Sequence, residues 1–465
     1  MDKLPQEIIS NIASFLPWGS GRDTQHKPLI RPGVASLSRA WQAAVESVTF
    51  QELHINNTEL VAFSDHFSRI HRRRFLRKLN FSVVLPTYSY KTYSGAETEE
   101  ERRVNNEVAS TAIFGLLQEL SGWPTNLNIT LIITIYPPKQ RLRSTSYIHL
   151  EDIHHVQVPC IRSFLAIQAY CPIDPGCLVS LTSRFPSLSR VDWCYDEPDS
   201  HSPLRIQLRD ELVASLSKFE LSPATERLHF TIETPKIDYG QPHPNLIGCH
   251  LNDPLSTALN RLLCGGNLRY LLYQGPIDSS FFWSGEFAKP NPEWASLEYM
   301  DVRFHNDSPS GKQYFKRAAK GSGDKPSPTG SEDSPQRGGN LEEYNDIIRS
   351  RGLEEFGFKP EEDFPQIPED VAPLLEAFAR RLAITPSLRS ALLSAKHPSG
   401  KWVVRYYAPG HPCSLEDDID EPEASLSRTR LFFQFQGWEP EDSLMGLFRS
   451  IGRERHGENT IITFI

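Results

Sequence analysis

Cysteine is scarce in this chain of 465 residues: there are seven, an odd number and too few for a disulfide scaffold. Long apolar runs are missing too. The longest, 127–136, is about half of the ~20 residues a helix needs to cross a bilayer. The opening residues, Met1-Asp2-Lys3-Leu4-Pro5-Gln6-Glu7, lack the basic stretch and apolar core of a secretory signal. The expectation is therefore a soluble intracellular protein, cytoplasmic and/or nuclear, with reduced thiols. Neither sign of charge is in large excess. The 49 Lys and Arg against 58 Asp and Glu leave a net charge of −9. On average such a surface repels nucleic acid and anionic lipid, so neither is expected as a partner.

Catalytic signatures are also lacking. There is no glycine-rich phosphate loop, no Gly-x-Ser-x-Gly elbow and no His-Glu-x-x-His pair. Carboxylate pairs are too numerous to single out an acid and a base. Zinc sites favour tight pairs of ligands. The best candidates, His149, His154, His155 and Cys160, then Cys171, Cys177 and Cys194, are loosely spaced, with five residues between Cys171 and Cys177. They read as surface histidines and partly buried thiols. No catalytic residue, metal or cofactor is expected, and the chain is not expected to be an enzyme.

What the chain does have is enough apolar material for a sizeable core: 39% apolar residues, to which 27 glycines add. Its 36 prolines, about 8% against a usual ~5%, favour many short elements joined by turns.

In the N-terminal part, Leu4, Ile8, Ile9, Ile12, Phe15 and Leu16 draw one stripe along an amphipathic helix. Pro5 suits its first turn, Glu7 suits the positive end of its dipole, and Pro17 stops it. A second helix is predicted over 34–48, with Leu37, Trp41, Ala44, Val45 and Val48 on one face. Two such helices cannot form a self-sufficient domain; they need a partner or the rest of the chain.

Leu4-Pro5-Gln6-Glu7-Ile8-Ile9, Ile12 and Phe15-Leu16-Pro17, followed by Leu37-Ser38-Arg39-Ala40-Trp41 and Val45, resemble an F-box. The wider chain looks like the F-box proteins of filamentous fungi. The resemblance implies a helical module that docks on the Skp-type adaptor of cullin–RING (SCF) ubiquitin ligases through Leu4, Pro5, Ile8, Ile9, Ile12, Phe15, Leu16, Pro17, Leu37 and Trp41. One departure is the insert 18–32, a polar Gly, Ser and Pro-containing loop longer than the few residues that usually join these helices.

Downstream, short runs that mostly alternate apolar and polar residues recur at 76–85, 127–136, 161–167, 188–193, 225–232, 268–273 and 297–304, and read as strands. Helical stretches at 105–120, 175–185, 209–219 and 254–263 lie between several of them. Phe164, Val191, His229, Leu271 and Met300 recur at spacings of about 27, 38, 42 and 29 residues, which resembles a degenerate leucine-rich repeat. In such a solenoid the strands lie side by side in chain order. Phe164, Val191, Leu228 and Leu271 would point inward, and their neighbours would line a concave surface open to a target protein. A compact α/β domain is the alternative.

Residues 308–340, rich in Ser, Gly, Pro and charge, read as a disordered linker, the part of 316–340 a protease would cut first. The cluster His71-Arg72-Arg73-Arg74-Phe75-Leu76-Arg77-Lys78 reads as a solvated helix end leading into a strand, and Glu416-Asp-Asp-Ile-Asp-Glu421 as a solvated loop. Beyond 341 a helix at 371–382, strands at 402–407, 429–435 and 459–465, and a helix at 444–451 continue, cap or stand beside the repeats.

The expected fold is thus α/β: an F-box module over 1–52, an irregular leucine-rich-repeat-like strand/helix solenoid over 53–307, a linker over 308–340 and a C-terminal α/β part over 341–465. The expected function is the substrate-recognition subunit of an SCF-type ubiquitin ligase. An F-box-like repeat scaffold without a ligase, and an unrecognised enzyme in the C-terminal part, are the other readings.

Overall fold

The structure, a computed structural model, describes residues 4–15, 34–87, 97–137, 147–151, 155–167, 171–198, 203–234, 244–283, 294–315, 371–397, 400–413, 425–435 and 438–465. Leu16, Pro17, the 18–32 insert, the acidic run 416–421 and the linker beyond Phe315 lie outside them.

Twelve strands form one sheet in chain order: β1 Glu52–Asn56, β2 Lys78–Val84, β3 Ile129–Tyr136, β4 Ile161–Ile167, β5 Arg190–Asp196, β6 Arg227–Glu233, β7 Tyr270–Gly275, β8 Tyr299–Phe304, β9 Ser390–His397, β10 Gly400–Tyr407, β11 Arg430–Gln434 and β12 Ile461–Phe464. Pairing is parallel from β1 through β9, antiparallel for β9–β10 and β10–β11, and parallel again for β11–β12. The helices are α1 Gln6–Phe15, α2 Arg39–Thr49, α3 Leu60–Phe67, α4 Ile70–Arg73, α5 Glu99–Ser121, α6 Pro175–Thr182, α7 Pro203–Leu216, α8 Pro254–Cys264, α9 Val371–Ile384 and α10 Asp442–His456. Among the described residues no helix is long and apolar enough to cross a membrane.

A single register row crosses all twelve strands: Leu53, Leu79, Leu131, Phe164, Val191, Leu228, Leu271, Met300, Ala391, Tyr406, Leu431 and Ile462. Phe164, Val191, Leu228 and Leu271 are buried in it, as the alternation predicts. His229, aligned with these positions by spacing, belongs one residue out of register: it pairs with Asp192 and Leu272 on the other face. Because strand periodicity is two, that single step reverses the side chain.

The buried row packs against the helices. Trp193 in β5 donates its Nε1–H to Thr182 Oγ1 of α6 at 2.9 Å, and Phe433 in β11 meets Phe448 of α10 at 5.1 Å between centroids.

Strand entries share one device. A turn buries a leucine two residues before the strand, at Leu76, Leu127, Leu188, Leu268, Leu297 and Leu388. The carbonyls of Gln51, Ser189, Glu226, Arg269 and Glu298 each accept two N–H groups from the start of the next strand. Pro386-Ser-Leu388 repeats Pro186-Ser-Leu188; this is the signal for β9, which alternation alone does not reveal.

Several boundaries differ from expectation for local reasons. Residues 34–35 are helical, but a turn interrupts the predicted helix and α2 begins at Arg39, because Ser38 is extended and its hydroxyl accepts from Trp41 N. Helix α5 begins at Glu99, where Thr98 and Glu101 form a reciprocal capping box. Helix α7 runs from Pro203; its buried face includes Arg205 and Arg209, which break the apolar period. Residues 308–315 are packed: Tyr314 donates to Ile277 O at 2.7 Å and Phe315 lies 5.6 Å from Trp402. Strand β8 pairs directly with β9, so the C-terminal strands continue the same sheet.

Candidate functional site

Two surfaces collect the residues that carry chemistry. The first is the N-terminal helix pair. Pro5 O accepts from Ile8 N and Ile9 N, starting α1. Ile9 and Ala13 then pack on Trp41 and Ala44 of α2, with Val34 and Ala40 at the margin. Gln6 Nε2 donates to Ala40 O at 3.2 Å.

This small core uses only part of the apolar stripe. Leu4, Ile8, Ile12 and Phe15 stay on the outside, 44, 44, 39 and 87% exposed, and Leu37, which lies before α2, is 55% exposed. The structure therefore divides the predicted set: Ile9 and Trp41 hold the pair together, Pro5 shapes its start, and Leu4, Ile8, Ile12, Phe15 and Leu37 face outward. Glu46 of α2 ties the pair to α4: its carboxylate meets Arg72 at 2.7 Å and His71 at 3.4 Å. Burial alone would raise the Glu46 pKa, but Arg72, Gln42 and His71 outweigh it and hold the carboxyl below its ordinary range. The basic cluster is thus largely engaged: Arg73 donates to Phe67 O and lies over Trp123, and Lys78 pairs with Glu52 at 2.7 Å.

The second surface is the sheet face opposite the helices. Alternation places Arg190, Arg227, Tyr270, Tyr299, Ser390 and Tyr407 in one row, with Asp192, His229, Leu272, Asp301, Leu392 and Arg405 in the next. They line a groove of about 540 Å³. Tyr270 and Tyr299 stack at 4.7 Å and 5°, and the Arg227 guanidinium sits 4.7 Å from the Tyr270 ring. Arg190 forks onto Asp192 at 2.7 and 3.2 Å, His229 Nδ1 lies 3.3 Å from the same carboxylate, and Arg303 pairs with Asp301 at 2.8 Å. Arg190, Arg227 and Arg303 are thus each balanced by a carboxylate or an aromatic face. The groove consequently offers flat aromatic area and polar edges of both signs. The sequence located the strands; it did not reveal this aromatic ladder, because its members are 29 to about 140 residues apart in the chain.

Of the loosely spaced histidines and cysteines, His149 and Cys177 meet at 3.5 Å beside Asp174. Asp174 is the residue a Cys/His spacing search does not see. Cys160, Cys171, Cys194 and His155 fall outside this group, and His154 lies outside the described residues. Compared with protein-family models, with curated proteins and with solved structures, the chain matches none of them.

Proposed function

We propose that this chain is the substrate-recognition subunit of an SCF-type ubiquitin ligase, binding a Skp-type adaptor through α1 and α2 and a target protein through the open sheet face. The observation that carries the proposal is the outward stripe Leu4, Ile8, Ile12 and Phe15 beside Leu37, left over once Ile9 and Trp41 have closed the helix pair. A contiguous apolar stripe of this kind on a protein surface marks an interaction site. It coincides with the residues that give the N-terminal segment its F-box likeness.

The strand-and-helix succession, with a buried leucine at six of the strand entries, supports an irregular leucine-rich-repeat-like solenoid whose open face receives the target. Such a subunit performs no chemistry of its own. It holds the target near the ligase's charged conjugating enzyme and raises the effective concentration of the acceptor lysine.

Coexpression of the full chain with a Skp-type adaptor tests this. The wild type should retain the adaptor. Ile8→Asp with Ile12→Asp should lose it, since each buried charge costs roughly 2–4 kcal/mol at an apolar contact. Both residues are exposed in the free chain, so its melting temperature should hold. A wild type that never retains the adaptor refutes the ligase reading and leaves a scaffold without a ligase.

A further inference from the structure

We propose that His149, Asp174 and Cys177 form a binding site for a divalent metal ion of the zinc class, on the helix-covered side of the sheet. His149 Nδ1 lies 3.5 Å from Cys177 Sγ and 3.7 Å from Asp174 Oδ2, and the three donor atoms all lie within 4.8 Å of one another. A tetrahedral ion with bonds of about 2.3 Å to sulfur and about 2.0–2.1 Å to nitrogen or oxygen needs edges of about 3.5 Å (S···N) and about 3.4 Å (N···O). The mixed S, N and O set suits zinc rather than magnesium or calcium.

The ligands are held in place by their surroundings. Asp174 caps α6 with Oδ1, which accepts from Gly176 N at 2.8 Å and Cys177 N at 3.1 Å, leaving Oδ2 for the cluster. A parallel bridge joins Ile148 to Ile173: Ile148 N donates to Pro172 O, and Asp174 N donates to Ile148 O. His149 N donates to Asn106 Oδ1 at 3.0 Å. Leu150 N points at Cys177 Sγ from 3.3 Å, a contact that favours a negatively charged sulfur.

Glu211 lines the adjoining cavity of about 800 Å³. Glu211 or water would complete the coordination.

The same three residue types also make a nucleophilic Cys-His-Asp relay, and the geometry argues against it. Sulfur and carboxylate both meet Nδ1, whereas a relay needs the two ring nitrogens on different partners. The buried Cys177 sulfur also donates to Leu150 O at 3.6 Å, so it rests as a thiol rather than a free nucleophile. A bound metal would displace that proton to solvent as the sulfur–metal bond forms.

The test is Co2+ titration of chelator-stripped full-length protein. The wild type should show saturable binding with a thiolate-to-cobalt charge-transfer band and tetrahedral d–d bands, both abolished by added Zn2+. Cys177→Ser should remove the charge-transfer band. His149→Ala, at a side chain more than half exposed and so compatible with folding, should weaken Zn2+ binding at least about tenfold. Cys249→Ser, at an exposed thiol, should leave the band intact. Absence of saturable binding, or a band that persists in Cys177→Ser, overturns the site. The outcome is independent of adaptor binding.

Discussion

Arg209 sits at the centre of a buried ionic chain. Its Nη1 donates to Glu197 Oε1 at 3.0 Å and its Nη2 to both Asp253 oxygens at 3.1 and 2.9 Å, while Arg205 takes the other Glu197 oxygen. Burial on its own would lower the Arg209 pKa; Asp253 and Glu197 outweigh that and raise it. Asp253 meanwhile caps α8 through Leu255 N and Ser256 N. Arg209→Met would leave Asp253 without its cation and Glu197 with only half its partners, both fully buried. Stripping one partner from such a group costs about 3–5 kcal/mol, and the midpoint of urea unfolding should fall accordingly. An unchanged midpoint would mean that the network adds nothing to stability. None of these four residues stood out in the sequence, because charges at 197, 205, 209 and 253 look solvated until the fold brings them together.

At the scale of elements, Glu46 is the ionic link between the helix pair and α4. Its carboxyl is held below the unfolded value of about 4.3, so the contribution is fully present above that pH. It is lost as the pH falls through the lower folded pKa. Acidification from about pH 6 to below about pH 4 should therefore loosen α2 from Arg72 before the sheet opens. Hydrogen exchange would report this as faster exchange of the 39–49 amides, with β5–β7 still protected. Glu46→Gln should loosen α2 already at neutral pH and flatten the response; an identical acid response in that variant would point to another carboxylate. The two helices themselves were readable from periodicity. Which half of the α1 stripe turns inward was not, since Ile8 and Ile9 are equally apolar and only the position of Trp41 separates them.

At the scale of the molecule, one hydrophobic cluster extends from Phe63 to Ile451. The join between β8 and β9 spans residues 316–370 of chain but no gap in the sheet, with six residue pairs in register from Tyr299–Ser390 to Phe304–Ala395. Arg381 of α9 reinforces it by donating to Phe282 O at 2.9 Å and Asn260 Oδ1 at 3.1 Å while lying 4.4 Å from the Trp294 ring centre. A protease site engineered between 316 and 370 should thus yield two fragments that still elute together under native conditions and part only in denaturant. Separation without denaturant would show that the two parts hold by the covalent chain alone.

Strand and helix succession, the buried positions of β4–β7 and the existence of an apolar stripe on α1 follow from local periodicity, which the backbone imposes at two and 3.6 residues. Val191, set between Arg190 and Asp192, needs no tertiary knowledge to be recognised as inward. The continuation of the sheet through β9–β12, the Tyr270–Tyr299 stack, the Glu197–Arg209–Asp253 chain and the meeting of His149 with Cys177 were decided only in three dimensions. Each depends on register between strands or on helices adjacent in space, and the interactions that set them act between residues whose separation along the chain carries no periodic mark.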